Sequence, residues 1–317
     1  MPTDFERALN HITDLKVPLE TGELYAFSEM SPQELGIFTN SWPKIPLERQ
    51  RAIIERMVRL AEKSFEVDFN AVFRFFLTSE DDQIRAKAID GLWEVEETGL
   101  IAPLVRMLKE DPSELVRERA AAALGRFALL AEPEELDQHH STLVRETLLE
   151  SIRDEGETLE VRRQAVESIS FFGGEEIRSI IQNAYDHLAE KMRISAVFAM
   201  GRSLDPHWSD IIRAELRNPN PDMRYEAAIA SGELGISEAV AILIELIEDP
   251  DAEVREAAIW ALGQIGGREA KKALRACCLS EDEKLAETAN EALEELEFSE
   301  SLPEIQLKNW FLREDGK

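Results

Sequence analysis

Five histidines punctuate this 317-residue chain: His11, His139, His140, His187 and His207. A catalytic zinc site would set two of them on one helix face, as in HExxH, and a structural site would use CxxC-type spacing. Neither pattern occurs. His139-His140 is the one vicinal pair, able to catch a metal only adventitiously. The two cysteines, Cys277 and Cys278, are also adjacent. Neighbouring helical residues point about 100° apart, so a structural disulfide between them is not expected. With no histidine nearby in sequence they read as small core or boundary residues. No phosphate loop, nucleotide fingerprint or G-x-S-x-G is present. Carboxylates are so numerous that two within reach of each other carry no weight. The expectation is a chain that is not an enzyme and holds neither cofactor nor metal.

Charge narrows the partners. Sixty-four acidic residues against 36 lysines and arginines give a net charge of −28, which repels a phosphate backbone. No nucleic-acid partner is therefore expected, and a basic protein would suit the surface better. The densest acidic run, 281–300, holds nine carboxylates and one lysine. The N-terminus MPTDFERALN has neither a basic start nor an apolar stretch, and no apolar run approaches about 18 residues. Together with the sparse thiols this predicts a cytoplasmic chain with no membrane role.

The elements that must position any site are repeats. Ile84-Arg85, Val116-Arg117, Val161-Arg162, Met192-Arg193, Met223-Arg224 and Val254-Arg255 each open the same pattern, and Leu285-Ala286 repeats it without arginine. The copies are spaced by 32, 45, 31, 31, 31 and 31 residues. Such a period marks a stack of helical units. With the residue before each arginine as position 1, position 5 is always alanine: Ala88, Ala120, Ala165, Ala196, Ala227, Ala258 and Ala289. Position 8 is always small, and position 9 is a larger apolar plug except at Ser231. Positions 1, 5, 8, 9 and 12 form one amphipathic stripe. Another helix precedes each of these, joined by turns such as Asp249-Pro250-Asp251, and Gly235 and Gly266 are expected to stop helices.

The string DPDAEVREAAIWALGQIG resembles a HEAT repeat, of the short type first noted in phycobilisome lyases, and the resemblance covers roughly residues 68–297. It implies an all-α, right-handed α-solenoid (superhelix) of about eight stacked antiparallel helix pairs. In that family a turn aspartate and a helix arginine form a ladder between repeats. Asp249 with Arg255 and Asp111 with Arg117 fit it. Asn218, Gly156 and His187 stand where the other acids should be, so the ladder should be incomplete. Residues 1–30 read as an N-terminal helical extension, 31–297 as the solenoid with a divergent first repeat opened by the Ser31–Glu34 capping box, and 298–317 as an apolar tail. The excess between the second and third repeats falls mostly in Leu129–His140, read as a surface loop with or without a function of its own.

The resemblance also implies candidate activities. Iron hydroxylases built of such repeats use His-Glu pairs, absent here, and repeat-built DNA glycosylases need a basic groove. A bilin-lyase-like enzyme subunit remains the alternative. The preferred function is a non-catalytic scaffold or adaptor holding a protein or peptide on the concave face, which the second helix of each repeat lines. Position 7 of that helix points away from the buried stripe. In three consecutive repeats it is Phe198, Ile229 and Trp260, and position 3 adds Ile194 and Tyr225. These five are the candidate partner-binding residues. Packing within the solenoid, or cover by the tail residues Leu302–Leu312, would account for the same apolar row.

Overall fold

The structure, a computed structural model, describes residues 3–64, 66–131 and 136–301. Among them there is no strand. The chain is an all-α solenoid whose helices group into two compact units, Met1–Ile169 and Ser170–Lys317.

The first unit opens with α1 (Asp4–Thr13), a 3₁₀ turn (Thr21–Phe27) and α2 (Pro32–Ser41). It continues with α3 (Leu47–Lys63), α4 (Asn70–Phe76), α5 (Asp82–Gly91) and α6 (Ile101–Glu110), then α7 (Glu114–Ala131), α8 (Gln138–Arg153) and α9 (Leu159–Ile169). Helices α3, α5, α7 and α9 stack in sequence as one layer, with α4, α6 and α8 packed against them. The second unit repeats the plan. Its first helices are α10 (Gly174–Tyr185), α12 (Ser209–Glu215), α14 (Val240–Leu246) and α16 (Gly267–Cys277). Its second helices, α11 (Glu190–Arg202), α13 (Pro221–Glu233), α15 (Ala252–Ile265) and α17 (Glu283–Ser301), stack in order.

Local chemistry sets the helix ends. Ser31 and Glu34 cap each other's backbone groups around Pro32, as the capping-box pattern predicts. Asp251 and Asn220 accept from the first N–H groups of α15 and α13. Gly235 (φ +62°) and Gly266 (φ +68°) follow α13 and α15 in the left-handed region that glycine adopts without strain.

The repeat alanines are structural. All seven at position 5 have 0 % exposure, so the second helices touch through methyl groups. An additional contact was not anticipated. Position 10 is glycine in four repeats, and each faces the position 8 residue of the next. A Cβ on Gly125 would come within 2.8 Å of Ser168 Oγ, on Gly201 within 2.9 Å of Ala230 Cα, on Gly232 within 3.0 Å of Ala261 Cα, and on Gly263 within 3.0 Å of Ala292 Cβ. Leucine at Ala227 or Ala258 is expected to overpack this interface by about 1–3 kcal/mol. Urea midpoints unchanged from the parent would contradict that.

Two expectations about the irregular regions change. Leu129–His140 is not one long loop. The Phe127–Ala131 run consists largely of helix formers and prolongs α7 to Ala131, while Asp137 caps α8 by accepting from the His139 and His140 N–H groups at 3.0 and 3.1 Å. Residues 132–135 lie outside the described residues, as does the tail from residue 302; α17 itself runs through Phe298 to Ser301.

The N-terminal segment has a definite place. Phe5, Ala8, Ile12, Leu24 and Phe27 are buried, and Phe5, Phe27, Phe38, Trp42 and Phe76 form a chain of ring contacts, closest at 4.4 Å. Arg49 of α3 donates to the carbonyls of His11, Ile12 and Val17 at 2.8–3.0 Å. The segment closes the apolar end that a first repeat would otherwise expose.

Candidate functional site

A ladder of ion pairs fixes the turns beneath the candidate face. Arg224 donates to both oxygens of Asp249, each at 2.8 Å, and also to the Asn218 and Pro219 carbonyls of its own turn. Asp249 in turn accepts from the Asp251 N–H at 2.9 Å, closing its own turn. The rung therefore joins Arg224 to the carboxylate of the following repeat. The expected pairing of Asp249 with Arg255 and of Asp111 with Arg117 does not form; from these two aspartates, Arg255 and Arg117 take the backbone carbonyl and not the carboxylate. The carboxylate of Asp111 belongs to Arg85, at 2.7 and 2.8 Å.

The ladder is incomplete, as expected. Asn218 keeps the turn hydrogen bond to Asn220 N–H but offers no carboxylate, and Arg193 settles on the His187 and Leu188 carbonyls. Two rungs were illegible. Glu157, one residue past Gly156, takes Arg117 at 2.8 Å through both oxygens. Arg51 of α3 pairs with Asp81, which also caps α5. Burial is the largest single effect on Asp249 and Glu157 and acts to raise their pKa values; the guanidinium hydrogen bond, the turn N–H and the arginine charge together outweigh it and hold both below the usual carboxylate range. At Asp81 the bond from Arg51 is the leading effect, in the same direction.

The five candidate residues sit on neighbouring helices of the second unit, Ile194 and Phe198 on α11, Tyr225 and Ile229 on α13, and Trp260 on α15. All five are half-buried, neither core nor fully exposed. The Trp260 ring lies over Gly232, where a Cβ would meet it at 2.6 Å. On the C-terminal side of this row is position 11. There Arg202 lies 5.2 Å from the Phe198 ring centre, within cation–π reach, and pairs with Glu233 at 2.8 Å. Burial pushes the Glu233 carboxyl up, with Arg202 acting against it. Gln264 follows, exposed. On the other side Glu256 pairs with Lys284. Burial, then Glu226, Glu253 and Glu256, raise the Tyr225 phenol above its ordinary value, so it remains a donor at neutral pH.

The second helices of the first unit carry a different surface. Around a hollow of about 450 Å³, Lys87 bridges Glu55 and Asp90 at 3.3 Å each, and Arg119 approaches Asp90 at 3.6 Å. Paired charges border this hollow, and Ala52, Ile54, Ala86 and Leu115 line the rest of it.

Among the described residues no group of three or more metal-ligating side chains is arranged to hold an ion. The His139 and His140 rings lie edge to face, and His140 contacts Asp137. Cys277 is buried, and burial, Cys278 and Glu248 push its thiol up, away from the reactive thiolate. No described helix is long and apolar enough to cross a membrane.

A family model described as HEAT repeats matches residues 71–138 and 209–294. No curated protein matches the chain. Among solved structures, the complex of CpcE and CpcF of phycocyanin lyase from Nostoc sp. PCC7120 is 14% identical, with a TM-score of 0.53 over 89% of this chain and 97% of that one. YibA of E. coli is 17% identical, with a TM-score of 0.47 over 90% and 98%. Human deoxyhypusine hydroxylase is 18% identical, with a TM-score of 0.38 over 84% and 96%. At such identities the lyase likeness is one of fold. Repeat register, buried alanines, the arginine–carboxylate ladder and the family match agree: residues 71–138 and 209–294 are HEAT repeats.

Proposed function

We propose that the chain is a non-catalytic scaffold or adaptor that holds a protein or peptide segment on the face of its second helices, the concave side in HEAT solenoids, through Ile194, Phe198, Tyr225, Ile229 and Trp260. The observation that carries this reading is the persistence of one apolar row across α11, α13 and α15, half-buried and bordered by charged side chains. Residues meant only for the stack would be buried like the position 5 alanines; Asp90 and Glu167, half-buried at the same position of other repeats, are charged and ion-paired where this row is apolar. Half-buried aromatics within a polar border have the make-up of an interface centre.

The test is affinity capture with crosslinking and mass spectrometry, comparing the parent with the triple variant Phe198→Ser, Ile229→Ser, Trp260→Ser. Partners recovered with the parent should be lost with the variant, by 100-fold or more if three anchors of about 1 kcal/mol each are removed, while helical circular dichroism stays at the parental level. Unfolding of the triple variant would show these residues to be core. Absorbance-monitored incubation with a bilin decides the lyase-subunit reading, and transfer of the chromophore to an acceptor would replace the scaffold.

A further inference from the structure

The arginine–carboxylate ladder stops one repeat short of α17. Arg224 shows how a rung is made. Its Nη1 donates to the Asn218 and Pro219 carbonyls at 2.9 and 3.1 Å, which turns Nε and Nη2 toward Asp249, 25 residues on. Arg255 repeats the first half of this arrangement, its Nη1 donating to the Asp249 and Pro250 carbonyls at 2.9 and 3.3 Å. Among the described residues, no carboxylate takes its Nε and Nη2. At the same distance along the chain, 25 residues past Arg255, stands Ser280.

Ser280 holds the ladder position in space as well as in sequence. Its Oγ accepts from the Asp282 N–H at 3.2 Å, as Asp249 accepts from the Asp251 N–H at 2.9 Å. Helices α15 and α17 meet as α13 and α15 do: a Cβ on Gly263 would come within 3.0 Å of Ala292, and one on Gly232 within 3.0 Å of Ala261. Lys284 pairs with Glu256 and ties the first turn of α17 to α15. The open edge of the Arg255 guanidinium therefore meets a turn that offers a hydroxyl in place of a carboxylate. Two other turns lack this combination. Asn218, 25 residues past Arg193, is an amide and donates to Glu215. Ser79 accepts from the Asp81 N–H just as Ser280 does from Asp282, but there Asp81 itself takes Arg51 at 2.6 Å. Asp282 accepts instead from the Lys284 and Leu285 N–H groups, and Arg255 stays open.

We propose that Ser280 is a phosphorylation site and that its phosphate completes the ladder by pairing with Arg255. A phosphoserine brings a charge approaching −2 and three strong acceptor oxygens, which a guanidinium fork can take two at a time. Glu281-Asp282-Glu283 follow the serine and Leu279 before it is exposed, so the turn suits a serine kinase with a basic peptide groove. In the transfer, Ser280 Oγ bonds to the γ-phosphorus of a magnesium-bound nucleoside triphosphate. The bond from that phosphorus to the diphosphate breaks, and the hydroxyl proton passes to the kinase's general base. Among the described residues the repeat of α17 has a neighbour on one side only, so it opens more readily than an internal repeat and exposes the serine. Once added, the phosphate fastens α17 to the repeat of α15. The modification thus sets how firmly the last described repeat is held.

The test uses the full chain with phosphoserine installed at Ser280 during translation, compared with the unmodified chain by hydrogen exchange. Exchange in α17 should slow about tenfold. Ser280→Asp, which restores the side chain found at Asp249, should give part of that effect. In an Arg255→Gln background the phosphate should slow nothing, since the cycle removes its partner. The intact chain supplies a second reading through ³¹P titration. The second pKa of the phosphate, ordinarily about 6, should be lower in the folded chain than in urea, because the acidic neighbours are present in both states and Arg255 meets the phosphate only when folded. Incubating the unmodified chain with an acid-directed serine kinase and magnesium ATP should place phosphate on Ser280 by mass spectrometry. Unchanged exchange, slowing that survives Arg255→Gln, equal slowing around α5 from a phosphate on Ser79, a folded pKa at or above the value in urea, or Ser280 left unmodified would each overturn the proposal.

Discussion

Asp249→Ala is expected to destabilise the second unit by about 3 kcal/mol, the cost of leaving a buried charge without its partner. The side chains of Arg224 and Asp249 are only 12% and 6% exposed, and the pair is bidentate, so little solvent screening reduces the effect. The same substitution removes the turn hydrogen bond to Asp251 N–H. Because each repeat touches only its neighbours, the loss should appear as faster hydrogen exchange in α13 and α15, with α3 and α5 unchanged. Arg224→Ala combined with Asp249→Ala should cost less than the sum of the single variants, and a strictly additive pair would show that the rung carries no coupling. The pH dependence follows the same rung. The folded-state pKa values of Asp81, Glu157 and Asp249 lie below their unfolded ones. Their contribution is therefore complete above the unfolded value, near pH 4, and is lost as pH falls through the folded values. The parent's melting temperature should drop on acidification below about pH 4, and Asp249→Asn should flatten that drop.

Gly232→Val is expected to cost about 3 kcal/mol, at the upper end for overpacking. The first added carbon would sit 2.6 Å from the Trp260 ring and 3.0 Å from the Ala261 backbone. Neither obstacle is a flexible side-chain end, so α13 and α15 must separate or the indole must leave its place. The substitution would otherwise improve helix propensity, so a loss of stability isolates the contact between helices. A denaturation midpoint at or above the parental value would mean that the stack relaxes freely around this glycine. Gly36, with open space where its Cβ would be, is the matched control and should tolerate alanine.

Where these effects fall shows what a repeat sequence makes legible. The 31-residue register and the invariant alanine placed the second helices, because a small residue at one face of a helix is required wherever two backbones approach. The position 10 glycines are equally periodic at Gly125, Gly201, Gly232 and Gly263, but glycine in a helix signals only that something is close, not what. The candidate row was found from its period alone. Its partial exposure was not, because outward direction on one helix says nothing of how far the next overhangs it.

Fold class, helix pairs, capping and the faces that must be buried are legible in the residues alone, since those follow from local periodicity and from side-chain size. Tertiary structure decided the rest. Which carboxylate receives which arginine depends on how consecutive turns align in space, so Asp249 serves Arg224 and not Arg255, and Glu157 fills a rung that position counting left empty. The place of residues 1–30 rests on the ring contact of Phe27 with Phe38 and on Arg49 reaching back 37 residues to Ile12. The setting of Trp260 over Gly232, and of Arg202 between Phe198 and Glu233, arises only when separate repeats meet. Local propensity fixes each helix; the contacts that turn a row of helices into a binding surface belong to no single repeat.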